Sequence, residues 1–147
     1  MFKFTLESAL KAKKQGKLHP WVLNYLKSEG NNKKLAKVLK EEKYIWLDLF
    51  EYPLDKLKRV MGFESIMKFR EPRDKWEKRI KHFTKCITNN ESLSPIIATD
   101  FWGEIHISDG THRFEALKTT GFKNYWTIFY IKKEKHKQKI LKIISQI

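Results

Sequence analysis

Ser108-Asp109-Gly110-Thr111-His112-Arg113 is the stretch whose reading decides the fold. Upstream of it, Pro95-Ile96-Ile97-Ala98 is an apolar run, Asp100-Phe101-Trp102-Gly103 has the composition of a turn, and Glu104-Ile105-His106-Ile107 alternates. Together they predict a β-hairpin. Downstream, Phe114, Ala116 and Leu117 recur at helical spacing, and Gly121 follows where a helix C-terminus favours positive φ. The centre is therefore a strand-to-helix junction.

Such a junction attracts phosphate, because the first N–H groups of a helix lack internal partners and the helix dipole leaves partial positive charge there. Arg113 and a protonatable His112 add to that charge. Gly110 lets the backbone turn sharply, Thr111 offers a cap or a hydroxyl, and Asp109 adds a carboxylate to an otherwise cationic spot. The same residues also suit an ordinary turn, with Thr111 as helix cap and His112 and Arg113 as solvated first-turn residues.

The order strand, hairpin, Asp-Gly-x-His-Arg, helix, Gly, strand resembles the ParB/sulfiredoxin superfamily, over approximately residues 44–131. Tyr52-Pro53-Leu54-Asp55-Lys56-Leu57, Glu71-Pro72-Arg73 and Ser94-Pro95-Ile96-Ile97 are similar to further stretches of that family, in the same order. The form of the junction looks most like the free-serine-kinase branch. Thr111 stands where sulfiredoxins carry the Cys of Gly-Gly-Cys-His-Arg, so sulfinic reductase chemistry is not expected. ParB proteins continue into a helix-turn-helix domain, whereas this sequence has only residues 132–147 after the core, so a complete partition protein is not expected either.

The resemblance implies a nucleotide-binding domain that uses ATP, ADP or CTP with Mg²⁺, and phosphoryl transfer to a small-molecule acceptor or nucleotide hydrolysis as the reaction class. It assigns Gly110, Thr111, His112 and Arg113 to the phosphates, with His112 donating to a phosphate oxygen. Asp109 would orient the acceptor or help hold Mg²⁺. Glu64 or Glu71, before the long helix, stands where the kinase branch places a catalytic Glu, and Arg73 stands at the helix start where the resemblance puts a phosphate-side or active-site residue. No cluster of carboxylates or histidines suited to a two-metal site is visible, which ranks a ParB-like nuclease last.

The totals fit one domain that buries roughly two-thirds of its unfolded surface: 147 residues, 41% apolar and 14% aromatic. Met1-Phe2-Lys3-Phe4-Thr5 leads into a charged helix rather than a signal peptide, no apolar run is long enough for a membrane span, and a single cysteine, Cys86, excludes an internal disulfide. A cytoplasmic protein is predicted. The formal charge of +14 sits in the flanks: residues 1–43 hold eleven Lys and four Glu, residues 132–147 six Lys and one Glu, and the core is nearly balanced. Such flanks suit either solvated faces or a DNA- or RNA-binding accessory module without catalysis.

The predicted architecture is α+β: a helical extension over residues 1–43, then a ParB/sulfiredoxin-like domain over 44–147 with a small mixed sheet, packed helices and a basic C-terminal helix, all one unit. The extension reads as three short helices, the second opened by Pro20 and the third capped by Asn31 or Asn32. Tyr44–Leu49 is the first strand, Leu54–Met61 a short helix closed by Gly62, and Phe63–Glu71 irregular. Pro72 opens a long helix with Trp76, Ile80, Phe83 and Ile87 on one face, and Arg73, Lys75, Lys78, Arg79, Lys81 and Lys85 on the solvated one. Tyr125–Ile131 is apolar on both faces and so central in the sheet.

Overall fold

The predicted hairpin is the hub of the sheet. In the computed structural model, which describes residues 3–101 and 103–147, β5 (Ile96–Phe101) pairs antiparallel with β6 (Glu104–Asp109) from Phe101↔Glu104 down to Ile97↔Asp109. Met1 and Phe2 of the segment read against a signal peptide, and Trp102 of the hairpin turn, lie outside the described residues. On its other side β5 runs parallel to β7 (Asn124–Ile131), and β7 runs antiparallel to β1 (Ile45–Pro53). With β2 (Leu57–Lys58) beside β6, the order is β1-β7-β5-β6-β2, so β7 is interior, as its two apolar faces require.

Both faces of the sheet are covered. Ile96, Ala98, Ile107, Phe129 and Ile131 face a core with Phe114, Leu117 and Ile140. These come from α5 (Thr111–Thr119) and the C-terminal α6 (Glu134–Ile144). Ile97, Ile128 and Tyr130, one residue out of step, face the opposite core. There they meet α1 (Leu6–Lys14), α2 (Leu18–Lys27) and α3 (Lys33–Glu41) through Ala9, Val22, Leu26 and Leu39. Extension and sheet thus share one core. Burial of Val22 and Leu26, each fully out of water, supplies roughly 1.5–3 kcal/mol apiece.

β1 serves both cores by breaking its own alternation. Leu47 pairs with Phe129 and Leu49 with the adjacent Ile128, so Asp48 is a bulged extra residue, and it is exposed. Leu47 therefore packs on the α5/α6 side and Leu49, two residues on, packs on the extension side.

The helix expected over Leu54–Met61 is absent. Leu54–Lys56 is one 3-10 turn, and β2 and β3 (Met61–Gly62) follow, the latter paired with β4 (Phe69–Arg70) inside the stretch read as irregular. Pairing of Leu57 with Ile105 buries Leu57, and this tertiary gain overrides a local helical spacing. Helix α2 starts two residues before Pro20, which lies in the first turn where no helical donor is lost. The long helix, α4 (Arg73–Thr88), has Pro72 as its N-cap residue. Among the described residues no helix is long and apolar enough to cross a membrane.

Candidate functional site

Asp109 ends β6 and Thr111 begins α5, so Gly110 has to redirect the chain between them, which it does at φ 103°. A Cβ there would lie 2.6 Å from Arg113 Nη2, so glycine is required both for the angle and for the space. Gly110, not Thr111, is the N-cap residue, and no side chain caps the helix. The first helical bond is donated by Phe114 N–H to Gly110 O at 2.8 Å, which leaves the preceding first-turn N–H groups without a helical acceptor.

His112 and Arg113 are not solvated. Both are buried, as is Thr111, because α5 lies between the sheet and α4. Arg113 Nε donates to Ser94 O at 3.2 Å, and Nη2 donates to Pro95 O at 3.0 Å and to Asp109 Oδ2 at 3.4 Å. Its guanidinium carbon lies 5.6 Å from the centre of the Tyr25 ring. Burial opposes the charge of Arg113, but Tyr25 and Asp109 more than offset it, and the pKa is raised. The other oxygen of Asp109 accepts from Asn32 Nδ2 at 3.1 Å.

The His112 ring packs at a tilt against Trp76 of α4, ring centres 5.0 Å apart, and its Nε2 lies 3.1 Å from Glu71 Oε2. Burial, then the charge of Arg79, lowers its pKa below the usual range, while Glu71 pulls in the opposite direction. A neutral ring against a carboxylate carries its proton on Nε2, which donates to Glu71 and leaves Nδ1 as an acceptor. The other Glu71 oxygen, Oε1, is buried and has no partner among the described residues.

Above this junction lies a cavity of about 90 Å³. It is lined by Asp109, Gly110, His112 and Arg113 of the junction, by Arg79 and Phe83 of α4, and by Tyr25, Glu29 and Gly30 from the end of α2 and the turn after it. The structure thus brings Asp109, Gly110, His112 and Arg113 together, with Glu71 directly behind His112. It keeps Glu64 and Arg73 apart from the cavity. Glu64 is in close contact with Arg59, which also reaches Glu115 at 3.2 Å and covers the Trp76 ring. Arg73 is exposed and pairs with Glu77 one turn on, at 2.9 Å.

Sequence reasoning missed Arg79, which it left on the solvated face of α4. Its spacing of three residues from Trp76 was the available signal, since such residues share a side of the helix. It also missed Tyr25, Glu29 and Asn32, which are remote in sequence from the junction.

No protein-family model matches the sequence, and no curated protein matches it. Solved structures that it resembles include sulfiredoxin from Arabidopsis thaliana, at 20% identity and TM-score 0.45, covering 65% of this chain and 98% of that one. The C-terminally truncated chromosome-partitioning protein ParB from Caulobacter crescentus, complexed with CTP-γ-S, is similar at 22% identity and TM-score 0.45, over 60% of this chain and 47% of that one. A free serine kinase in complex with AMP is similar at 21% identity and TM-score 0.41, over 58% of this chain and 30% of that one. The chain thus spans less than half the length of the last two.

Proposed function

We propose that this chain is a ParB/sulfiredoxin-like nucleotide-binding protein that holds the phosphates of ATP, ADP or CTP at the Asp109-to-Arg113 junction and performs phosphoryl transfer to a small acceptor or nucleotide hydrolysis. The observation that carries this reading is the uncapped start of α5 opening into a cavity beside Arg79 and the His112–Glu71 pair. The first-turn N–H groups would receive phosphate oxygens, and Arg79 at the rim would add charge. Arg113, bonded to Asp109, Ser94 O and Pro95 O, would hold this lining in place. His112, neutral and backed by Glu71, would take the proton of an attacking hydroxyl or water at Nδ1, a better-matched role than donation to phosphate. Asp109 would orient that acceptor.

Magnesium is commonly held by one or two carboxylates together with phosphate oxygens, and Asp109 and Glu29, which line the cavity, would be those carboxylates, each of their oxygens already accepting one hydrogen bond from the protein. Among the described residues no group of three or more His, Cys, Asp or Glu could hold a metal ion unaided. When bound, the ion would neutralise charge developing on the transferred group. Thr111 supplies no thiolate, and Cys86 lies on α4 beside His82, so sulfinic reductase activity is not proposed.

The test is a thermal-shift panel of ATP, ADP, CTP and GTP with and without Mg²⁺. A ligand at a hundred times its Kd stabilises by about 2.7 kcal/mol, enough to move Tm by several degrees. No shift with any nucleotide defeats the reading.

One surface favours a second reading, binding of single-stranded nucleic acid. Lys68 Nζ lies 5.4 Å from the Phe69 ring centre and 5.8 Å from that of Phe101, and these rings are 56% and 48% exposed. Exposed aromatics beside cations are what stacked bases bind, and the Lys-rich flanks would add phosphate contacts. Steep loss of oligonucleotide binding with salt, flattened when Lys133, Lys135 and Lys137 become Gln, is its expected signature.

A further inference from the structure

We infer that the turn between α2 and α3 is part of the phosphate site: Asn32 positions Asp109, and Tyr25, Glu29 and Gly30 close the cavity around a single phosphoryl group, so that the ligand is held end-on by its terminal phosphates. The inference rests on the phosphate reading above and adds who assembles the site and what it admits.

A carboxylate beside a phosphate repels it unless its charge is committed elsewhere. Each oxygen of Asp109 already accepts one hydrogen bond, which offsets part of its charge and leaves a second acceptor site on each. Oδ2 accepts from Arg113 at 3.4 Å and Oδ1 from Asn32 at 3.1 Å. Asn32 is itself fixed, since its Oδ1 accepts from Leu35 N–H at 3.3 Å as the cap of α3 and its own N–H donates to Leu26 O at 2.7 Å. One side chain therefore both starts a helix of the extension and fixes the position of a carboxylate that lines the cavity. The turn is tightly built: Gly30 N–H donates to Tyr25 O at 2.8 Å, and a Cβ on Gly30 would meet Tyr25 Cε2 at 2.8 Å.

The resulting space sets the ligand class. The cavity has a volume of about 90 Å³. Pockets that enclose a drug-sized molecule start near ~300 Å³. A phosphoryl group fits within that volume, and a nucleoside attached to it would extend beyond it.

Titration calorimetry of the full chain with inorganic pyrophosphate, ADP and CDP tests this. The three should bind within about threefold of one another, because only the shared terminal phosphates are enclosed. Asn32→Asp keeps a good cap but puts a second carboxylate against Asp109. All three affinities should fall about tenfold or more at pH 7.5 and recover at pH 5.5, where the facing carboxylates share a proton. Should Asn32→Asp fail to fold, Asn32→Ser, which caps without the amide donor, should lose affinity for the same three ligands. Preference for a nucleotide over pyrophosphate by tenfold, variants that bind like the parent, or a loss with no recovery in acid would each overturn the inference. A parent that binds none of the three refutes the phosphate reading itself.

Discussion

His112 Nε2 lies 3.1 Å from Glu71 Oε2, and the pair ties the first turn of α5 to the residue before α4's cap across 41 positions of sequence. Because burial and Arg79 lower the imidazole pKa from its usual 6.5, the unfolded chain takes up that proton first as pH falls. The stability that depends on a neutral His112 is therefore complete above about pH 6.5 and is lost as pH drops through the folded-state pKa. Urea midpoints measured from pH 7.5 down to 5 should fall more steeply for the parent than for His112→Asn. Equal slopes would mean that His112 is not held neutral.

Arg113 and Arg79 both line the cavity, but their removal should have opposite costs. Arg113 is a buried cation with three hydrogen bonds, so Arg113→Ala strands Asp109 and two carbonyls and should destabilise the fold by roughly 3–5 kcal/mol. Arg79 is exposed, and Arg79→Ala should leave the urea midpoint nearly unchanged while weakening ADP binding by about tenfold, the scale of one charged hydrogen bond. Titration and denaturation of the two variants side by side check the division.

Gly110→Ala should cost roughly 1–3 kcal/mol, since alanine resists positive φ and its Cβ would displace the Arg113 guanidinium. The informative comparison is Gly121→Ala. That glycine also has positive φ, but a Cβ there meets nothing within 4 Å, so the smaller loss expected by chemical denaturation isolates the steric part at residue 110.

If Asp109 orients an acceptor, Asp109→Asn should retain nucleotide affinity and lose turnover by ~10²-fold or more, the scale of a general-base contribution. Single-turnover kinetics beside calorimetry make the distinction. Turnover that survives the substitution removes Asp109 from the chemistry and leaves it a structural partner of Arg113 and Asn32.

The junction was legible in sequence because its parts are local: a hairpin, a glycine and a helical stripe within a few dozen residues. What failed to show was whatever depended on distant partners. The burial of His112 and Arg113 depends on α4 packing over α5, which no spacing within Thr111–Thr119 encodes. Asn32 was readable as a cap, but its bond to Asp109 spans 77 positions. The short helix assigned after Pro53 was a local reading defeated by the pairing of Leu57 with Ile105. The first strand, read from its aromatic and β-branched composition as Tyr44–Leu49, runs on to Pro53, past a slip in register at Asp48.

That slip has a consequence for how the molecule behaves among copies of itself. β1 is one of the two outer strands of the sheet, and an outer strand with an unbroken row of free N–H and C=O groups is a template for another chain. Here the row is interrupted midway by an extra residue bearing a carboxylate, and the neighbouring Leu49 carbonyl already accepts from Lys13 Nζ at 2.9 Å. A second copy approaching this edge finds no continuous ladder to extend. Deleting Asp48 would restore the regular ladder without moving Leu47 or Leu49 to the wrong face, and would leave the Lys13 bond to Leu49 O as the interruption of this edge.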